Sequence, residues 1–566
     1  MVRLLFFSLL CIFMWSCGSP DKAPATPPEE GASISEALDR NYDEAAATRL
    51  IDRIKMLSSD DFQGRMPASV GEEKTVAFLV SEFERVGAGP GNGESFMQPV
   101  PLVEITGNPE ARLRINADGR ELMDLAMGGK MAGGTRRVQE EVEVSNSEMV
   151  FVGYGIVAPE YNWDDYAGLD VKGKTVVMLV NDPGYATGND ALFNGNAMTY
   201  YGRWTYKYEE AARQGADMAI IIHEEGAAGY PWAVVTSGWT GPQFDLVGDG
   251  TQMSPAKVEA WVDNESGSAL LKRAGLSYED AVKAASTGGF QAVSLNASAS
   301  ITIRNKLRKM DSQNVIAMIR GSERPDEYII YSAHWDHLGR DTALADDPIY
   351  NGARDNATGT AALLTLAEKF KAMPDGPERS VIFLAVTAEE SGLLGSRFYA
   401  ENPVVPLEKT VANINMDSLG IYGPTHDIAV IGFGNSELEE YLARAVEAQG
   451  RTAVREPTPE KGFFYRSDHF NFAKRGVPAL YFKSGIDFVG KGKEWGRKTE
   501  AEHIATRYHK PADEYFAETW SPEGLMLDIA LYFEIGRALS MESGWPNWYA
   551  GNEFRAARDA SAAARQ

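Results

Sequence analysis

From about residue 310 to 541, short apolar runs alternate with amphipathic ones, and polar residues collect where the apolar runs stop. DEYIIYSAH, SVIFLAVTAEE, TVANINMDS, DIAVIGFG and VPALYFKSG read as strands; GTAALLTLAEKFKAM, SELEEYLARAVEAQG and PEGLMLDIALYFEIGRALSM read as helices. Apolar strands alternating with helices dictate an α/β fold, a mostly parallel sheet with helices on both faces. Such sheets bind their ligands at the carboxyl ends of the strands.

One strand end poses the sharpest question. Val381 to Thr387 is an apolar run, and it surfaces onto two adjacent carboxylates, Glu389 and Glu390. Like charges held close raise each other's pKa, so a cation or a shared proton must make the pair tolerable. The other strand ends supply partners. His334 and Asp336 fall on the same side by the strand period of two. Asp355 precedes the helix that begins near Gly359, Asp417 closes a third strand, and His509 stands before a proline in YHKPADE. Taken singly, His334 is an ordinary strand-end histidine, Asp355 a helix N-terminal residue, Asp417 a turn cap and His509 incidental. Together, in this order and always after strands, they form a zinc donor set of His334, Asp355, Glu390, Asp417 and His509, enough for two Zn²⁺ ions. One glutamate then ligates while its neighbour handles a proton. The other histidines, His223, His337, His426, His469 and His503, carry no such signal, although SDHFNF brings His469 close to the site in sequence.

The rest of the chain sets the frame. At 566 residues it is too long for one core. Residues 36–103 read as helical, and 306–541 carry the α/β pattern. Between them, 104–305 show short β-rich runs broken by Gly and Asp turns, an inserted domain; 542–566 are expected to be a C-terminal tail. The only two cysteines, Cys11 and Cys17, lie near the start, so the folded body has no disulfide or thiolate chemistry. Arg3 followed by an apolar run reads as a signal peptide over 1–16, too short to span a membrane. Cys17 then stands where a bacterial lipoprotein is acylated, followed by a Pro-rich tether over 17–35. This predicts an exported protein, lipid-anchored on Cys17 and facing the periplasm or cell exterior. The net charge of −25 excludes a nucleic-acid binder, which needs a basic face.

AHWDHLG, GARDNATGTAALL, TAEESGLLGS, NINMDSLG, SDHFNFAKRGVPALYF and YHKPADE resemble the successive motifs of the co-catalytic zinc peptidases of metallopeptidase family 28. LSSDDFQGRMPASVGEEKTVAFL is similar to that family's N-terminal segment. FVGYGI and YAGLDVKGKTVVMLVND, within 104–305, resemble the protease-associated (PA) domain that many members carry. The resemblance implies a zinc-exopeptidase (phosphorylase/hydrolase-like) fold with a PA-type insert. It implies that Asp355 bridges two zinc ions, with His334 and Asp417 completing one and Glu390 and His509 the other. Glu389 would be the general base, Asp336 would orient the imidazole of His334, and Tyr508 would donate to the oxyanion. It also implies a non-proline cis peptide at Asp355–Asn356. Ser467, Asp468 and His469 would line the substrate pocket.

These residues point to an aminopeptidase acting on peptide substrates. The same chemistry serves a carboxypeptidase or dipeptidase, and a carboxypeptidase needs a cation for the terminal carboxylate, for which Arg354 and Arg466 are the candidates. A binding protein of the same fold is disfavoured by the complete ligand set. A serine hydrolase is disfavoured because no G-x-S-x-G occurs.

Overall fold

The computed structural model describes residues 33–248 and 254–565. The signal peptide, Cys17 and nearly all of the tether therefore lie outside the described residues. Among the described residues, no helix is long and apolar enough to cross a membrane.

The expected α/β pattern is present. Arg324–His334, Arg379–Val386, Thr410–Asn415 and Ala479–Ser484 are strands, and the first pairs in parallel with the second and third, the third with the fourth. Their apolar residues alternate between two cores. Ile329, Tyr331, Ala333, Phe383 and Ala385 face the helices Glu44–Leu57, Thr358–Lys371 and Pro522–Met541. Ile330, Ile382, Leu384 and Val386 pack on the opposite side against Tyr399 and Phe472. Because these strands run the same way, His334, Glu389, Glu390 and Asp417 all emerge at one rim.

A strand of 27 residues, Val293–Ile319, joins this sheet to a second one. Residues 315–319 run antiparallel to Arg379–Val386, and 305–315 pair with Met97–Gly107. Residues 293–304 pair instead with Glu141–Phe151 in the inserted segment. The limits expected at 104 and 305 thus fall inside paired strands. Nor is the insert purely β: Thr175–Leu179, Met218–Ile222 and Val258–Val262 are parallel, and helices such as Trp204–Arg213 and Asn264–Arg273 accompany them.

Two other expectations change. Residues 97–103, grouped with the N-terminal helices, belong to a strand whose side chains alternate in burial despite Pro99 and Pro101. Residues 542–566, expected as a tail, are packed down. Trp548 is fully buried and donates to Gly476 O at 3.0 Å, and the helix Arg555–Ala564 places Arg558 to donate to Thr410 O and Val411 O at 2.9 and 3.0 Å. The aromatic residues of this stretch give it surface to bury that a free tail would leave in water.

Arg65 makes the densest tie between the N-terminal helices and the rim. The buried guanidinium of Arg65 donates to four main-chain carbonyls, Leu57 O (2.6 Å), Asn351 O (2.7 Å), Trp335 O and Gly352 O (both 2.8 Å). It clamps together the end of a helix, the segment after His334 and the segment before Asp355. Arg65→Met keeps the volume and strands those carbonyls. It is expected to destabilise the protein by about 3 kcal/mol, read as a lower urea midpoint in tryptophan fluorescence.

Candidate metal centre

His334 ends its strand with Nδ1 3.2 Å from the main-chain oxygen of Asp336. A carbonyl can only accept, so Nδ1 carries the hydrogen and Nε2 is left facing the rim. Nε2 lies 3.3 Å from Asp355 Oδ1 and 3.7 Å from Asp417 Oδ1. The other oxygen of Asp355, Oδ2, lies 3.3 Å from Nε2 of His509, which is 3.1 Å from Glu390 Oε2. Asp355 therefore offers one oxygen to each of two donor groups. Four bonds of about 2.0 Å in a tetrahedron hold ligand atoms about 3.3 Å apart. The spacings at Asp355 fit donors arranged around shared ions of the zinc kind, and so does the chemistry of the set.

The electrostatics agree. Burial opposes charge on His334, yet Glu389, Asp355 and Asp417 hold its pKa well above the ordinary value. Burial also opposes charge on His509, while Glu390 and Asp355 push it up to about 11. Against the upward pull of burial, His334 and His509 hold Asp355 well below the usual carboxylate range. Glu389 behaves oppositely: burial, reinforced by Glu390 and Asp417, raises it well above the usual range despite His334. Its Oε2 stands 3.9 Å from His334 Nε2.

The local backbone is shaped for this. The Asp355–Asn356 peptide is cis. Ala388, Ser418 and His509 adopt left-handed φ of +52°, +56° and +53°, sparsely populated by side-chain-bearing residues, and each is a candidate donor or adjoins Glu389 or Asp417. Gly352 has φ +54°, and a Cβ there would meet Asp355 O at 2.4 Å and the His337 ring at 2.6 Å, so no other residue fits.

Several residues do something other than expected. Asp336 meets the imidazole of His334 through its main-chain oxygen at 3.2 Å, with Oδ1 3.8 Å from the same Nδ1, and its carboxylate also accepts from the backbone N–H groups of Glu389 (3.1 Å) and Glu390 (3.3 Å), fixing the turn that presents them. Ser467, Asp468 and His469 are buried rather than open to substrate. Ser467 Oγ accepts from Asn415 at 2.7 Å, and the His469 ring packs on Phe464 and Tyr481 at 4.5 and 5.0 Å between centroids. They lie behind the rim because their segment turns inward beneath an aromatic cluster. Tyr508 is 45% exposed and stacks on the His509 ring at 4.0 Å. Arg354 is occupied: it binds Glu500 in bidentate fashion at 2.9 and 3.1 Å.

Two residues in contact with the candidate donors escaped the sequence reading. His337, fully buried, places Nδ1 2.7 Å from Glu390 Oε1. Its signal was the second histidine of HWDH, one residue past Asp336. Asp513 accepts from the backbone N–H groups of Arg354 and Asp355 at 3.1 and 3.0 Å. It sits four residues past His509 in YHKPADE, so a motif credited with one histidine also anchors the shared aspartate.

Residues 314–533, which include every donor named here, match peptidase family M28. This segment is a peptidase family M28 domain. Over 122 residues the chain is 38% identical to aminopeptidase NAALADL1 of Mus musculus, covering 21% of this chain and 15% of that protein. Over 214 residues it is 26% identical to aminopeptidase YwaD of Bacillus subtilis (strain 168), covering 36% and 39%. The matched segments thus span well under two thirds of either relative. Among solved structures it is similar to the aminopeptidase from Aneurinibacillus sp. strain AM-1, at 20% identity and a TM-score of 0.48, with 91% of this chain and 97% of that one covered.

The site concentrates carboxylates whose charge a bound cation would balance. Chelation is expected to lower the thermal midpoint, and zinc restored to about 100 times its Kd to return about 2.7 kcal/mol. Differential scanning calorimetry before and after dialysis checks this.

Proposed function

We propose that this protein is a zinc-dependent metallopeptidase, an aminopeptidase that removes N-terminal residues from peptides with two zinc ions. The observation that carries the reading is Asp355, whose two oxygens face separate donor groups, His334 with Asp417 and Glu390 with His509. The family match and the relatives named as aminopeptidases support it.

His334, Asp355 and Asp417 would hold one ion and Asp355, Glu390 and His509 the other. Ions held there would supply polarisation of the scissile carbonyl and a lowered pKa for the attacking water. Glu389 takes a proton from that water on its carboxylate and delivers it to the departing amine nitrogen. Asp336 keeps Glu389 and Glu390 in place through their backbone N–H groups, and Asp513 does the same for Asp355. Tyr508, half-exposed beside His509, would donate to the developing oxyanion. Export and acylation at Cys17 would place this activity at a membrane surface outside the cytoplasm.

Aminoacyl-nitroanilides are expected to be cleaved, with activity lost on chelation and recovered with zinc. N-acetylated controls are expected to resist, and their cleavage would replace this reading with a carboxypeptidase. Glu389→Gln is expected to keep two metals per chain by elemental analysis while kcat falls by about 10²–10⁴-fold. Asp355→Ala is expected to lose metal.

A further inference from the structure

The turn that carries Glu389 and Glu390 is closed at its base. Gly395 N donates to Thr387 O and Leu394 N to Ala388 O, both at 3.0 Å, and Gly392 N and Leu393 N both donate to Glu389 O at 2.9 Å. Asn314, from the long Val293–Ile319 strand, braces the same closure: it accepts from Thr387 N at 3.1 Å and donates to Gly395 O at 2.9 Å. The helix Leu394–Glu401 starts on these residues. Whatever holds this helix therefore also holds the two glutamates.

The inserted segment reaches this point. Its strand Gln243–Leu246 runs back to pair antiparallel with Met97–Gly107, and Leu246 packs in one buried cluster with Ala388 and Leu394, which flank the turn. One residue earlier, the buried Asp245 accepts through Oδ1 from Arg397 Nη2 at 2.8 Å, and Arg397 lies one turn into the helix. Asp245 Oδ2 is 3.4 Å from Nη1 of Arg136, whose Nε is 3.2 Å from Oε2 of the buried Glu259 in Val258–Val262. Arg397 Nε lies 3.8 Å from Glu401 Oε1. Charges thus alternate from the insert to the helix behind the metal centre, in the order Glu259, Arg136, Asp245, Arg397, Glu401. Burial pushes the Asp245 carboxyl up, but Arg397 and Arg136 bring it below its ordinary value, so it is held charged between them. A charge with so little water around it loses much when one partner moves away, which makes the pair a stiff link rather than a loose surface contact.

We propose that Asp245 and Arg397 are positioning residues for the reaction: through their ion pair the inserted segment sets where the Glu389–Glu390 turn stands at the metal centre. The proposal rests on the peptidase reading above and gives the insert a part in the chemistry. Neither residue touches the reacting atoms. Arg397 acts on Glu389 and Glu390 through the helix and the closed turn, and Asp245 acts through Arg397. Glu389 must meet the attacking water at hydrogen-bond distance, and Glu390 offers one of the donor atoms. A small shift of the turn is therefore felt twice, as slower proton transfer and as weaker metal binding.

The test uses the zinc-loaded full chain and a leucyl-nitroanilide. Asp245→Asn keeps the shape and removes the charge. At saturating zinc it is expected to lower kcat by about 10- to 100-fold with KM within about twofold of wild type. In a competitive titration against a chelator its zinc affinity is expected to fall by about 10-fold. Arg397→Met is expected to match it, Arg397→Lys to lie between it and wild type, and the double variant to be no worse than either single change. Lys130→Met, which removes an exposed ion pair with Glu265 elsewhere in the insert, is expected to keep wild-type values. A folded Asp245→Asn with wild-type kcat and zinc affinity overturns the proposal while leaving the peptidase intact. So does a rise in KM at unchanged kcat. So does a loss of activity that only follows the loss of folded protein in near-UV circular dichroism, since the pair is then a structural one. A wild type that cleaves no peptide overturns the peptidase reading itself, and the positioning role with it.

Discussion

Four carboxylates brought out of water at one rim are the constraint to which the rest of this protein answers. Asp355, the adjacent pair Glu389 and Glu390, and Asp417 arrive on three segments, and parallel pairing of the strands brings the glutamates and Asp417 out at the same end. Charges that close in a poorly solvated place must be balanced or protonated. The surrounding structure supplies the balance in layers. His334 and His509 stand between the carboxylates, and His337 contacts Glu390 from behind. Outside them Asp336 and Asp513 hold the peptide backbone of the acidic residues with their own carboxylates. Arg65 then locks the flanking segments by their carbonyls. Each layer fixes the one inside it, which is how a metal-binding geometry is kept when the ligands are spread over a long sequence.

Much of this was legible in the sequence because it is periodic. The apolar strands of the α/β half gave direction, and direction gave a common rim; the donors then followed as the polar residues just past each strand. What was not legible is carried by contacts between distant positions. Arg65 binds carbonyls some 270 to 290 residues away, a relation that no spacing encodes. Asp336 was rightly placed beside His334, but which of its oxygens does what depends on the turn at Glu389. Residues 97–103 deceived because their prolines mask a strand, which the long Val293–Ile319 strand imposes by pairing with it. Ser467, Asp468 and His469 look like pocket residues by order along the chain and become interior residues once their segment folds under Phe464 and Tyr481.

Arginine shows the same lesson in one residue type. Arg354 and Arg466 had equal claim in the sequence to a substrate carboxylate. Folding gives Arg354 to Glu500 and sets Arg466 against the rings of Phe463 and Tyr230 instead. A cation's availability is a property of what packs around it, not of its position in a motif.

The paired strands Met97–Gly107 and Val293–Ile319 also say something about ancestry. Gly107 and Asn305 are direct partners in the ladder, so the chain departs from the M28-like half and comes back at opposing positions. Some two hundred intervening residues occupy the place where a hairpin turn of a few would suffice. Gain or loss of this module in a lineage demands no shift in strand register, which makes it an exchangeable part that evolution can swap while the half carrying the candidate metal centre stays as it was.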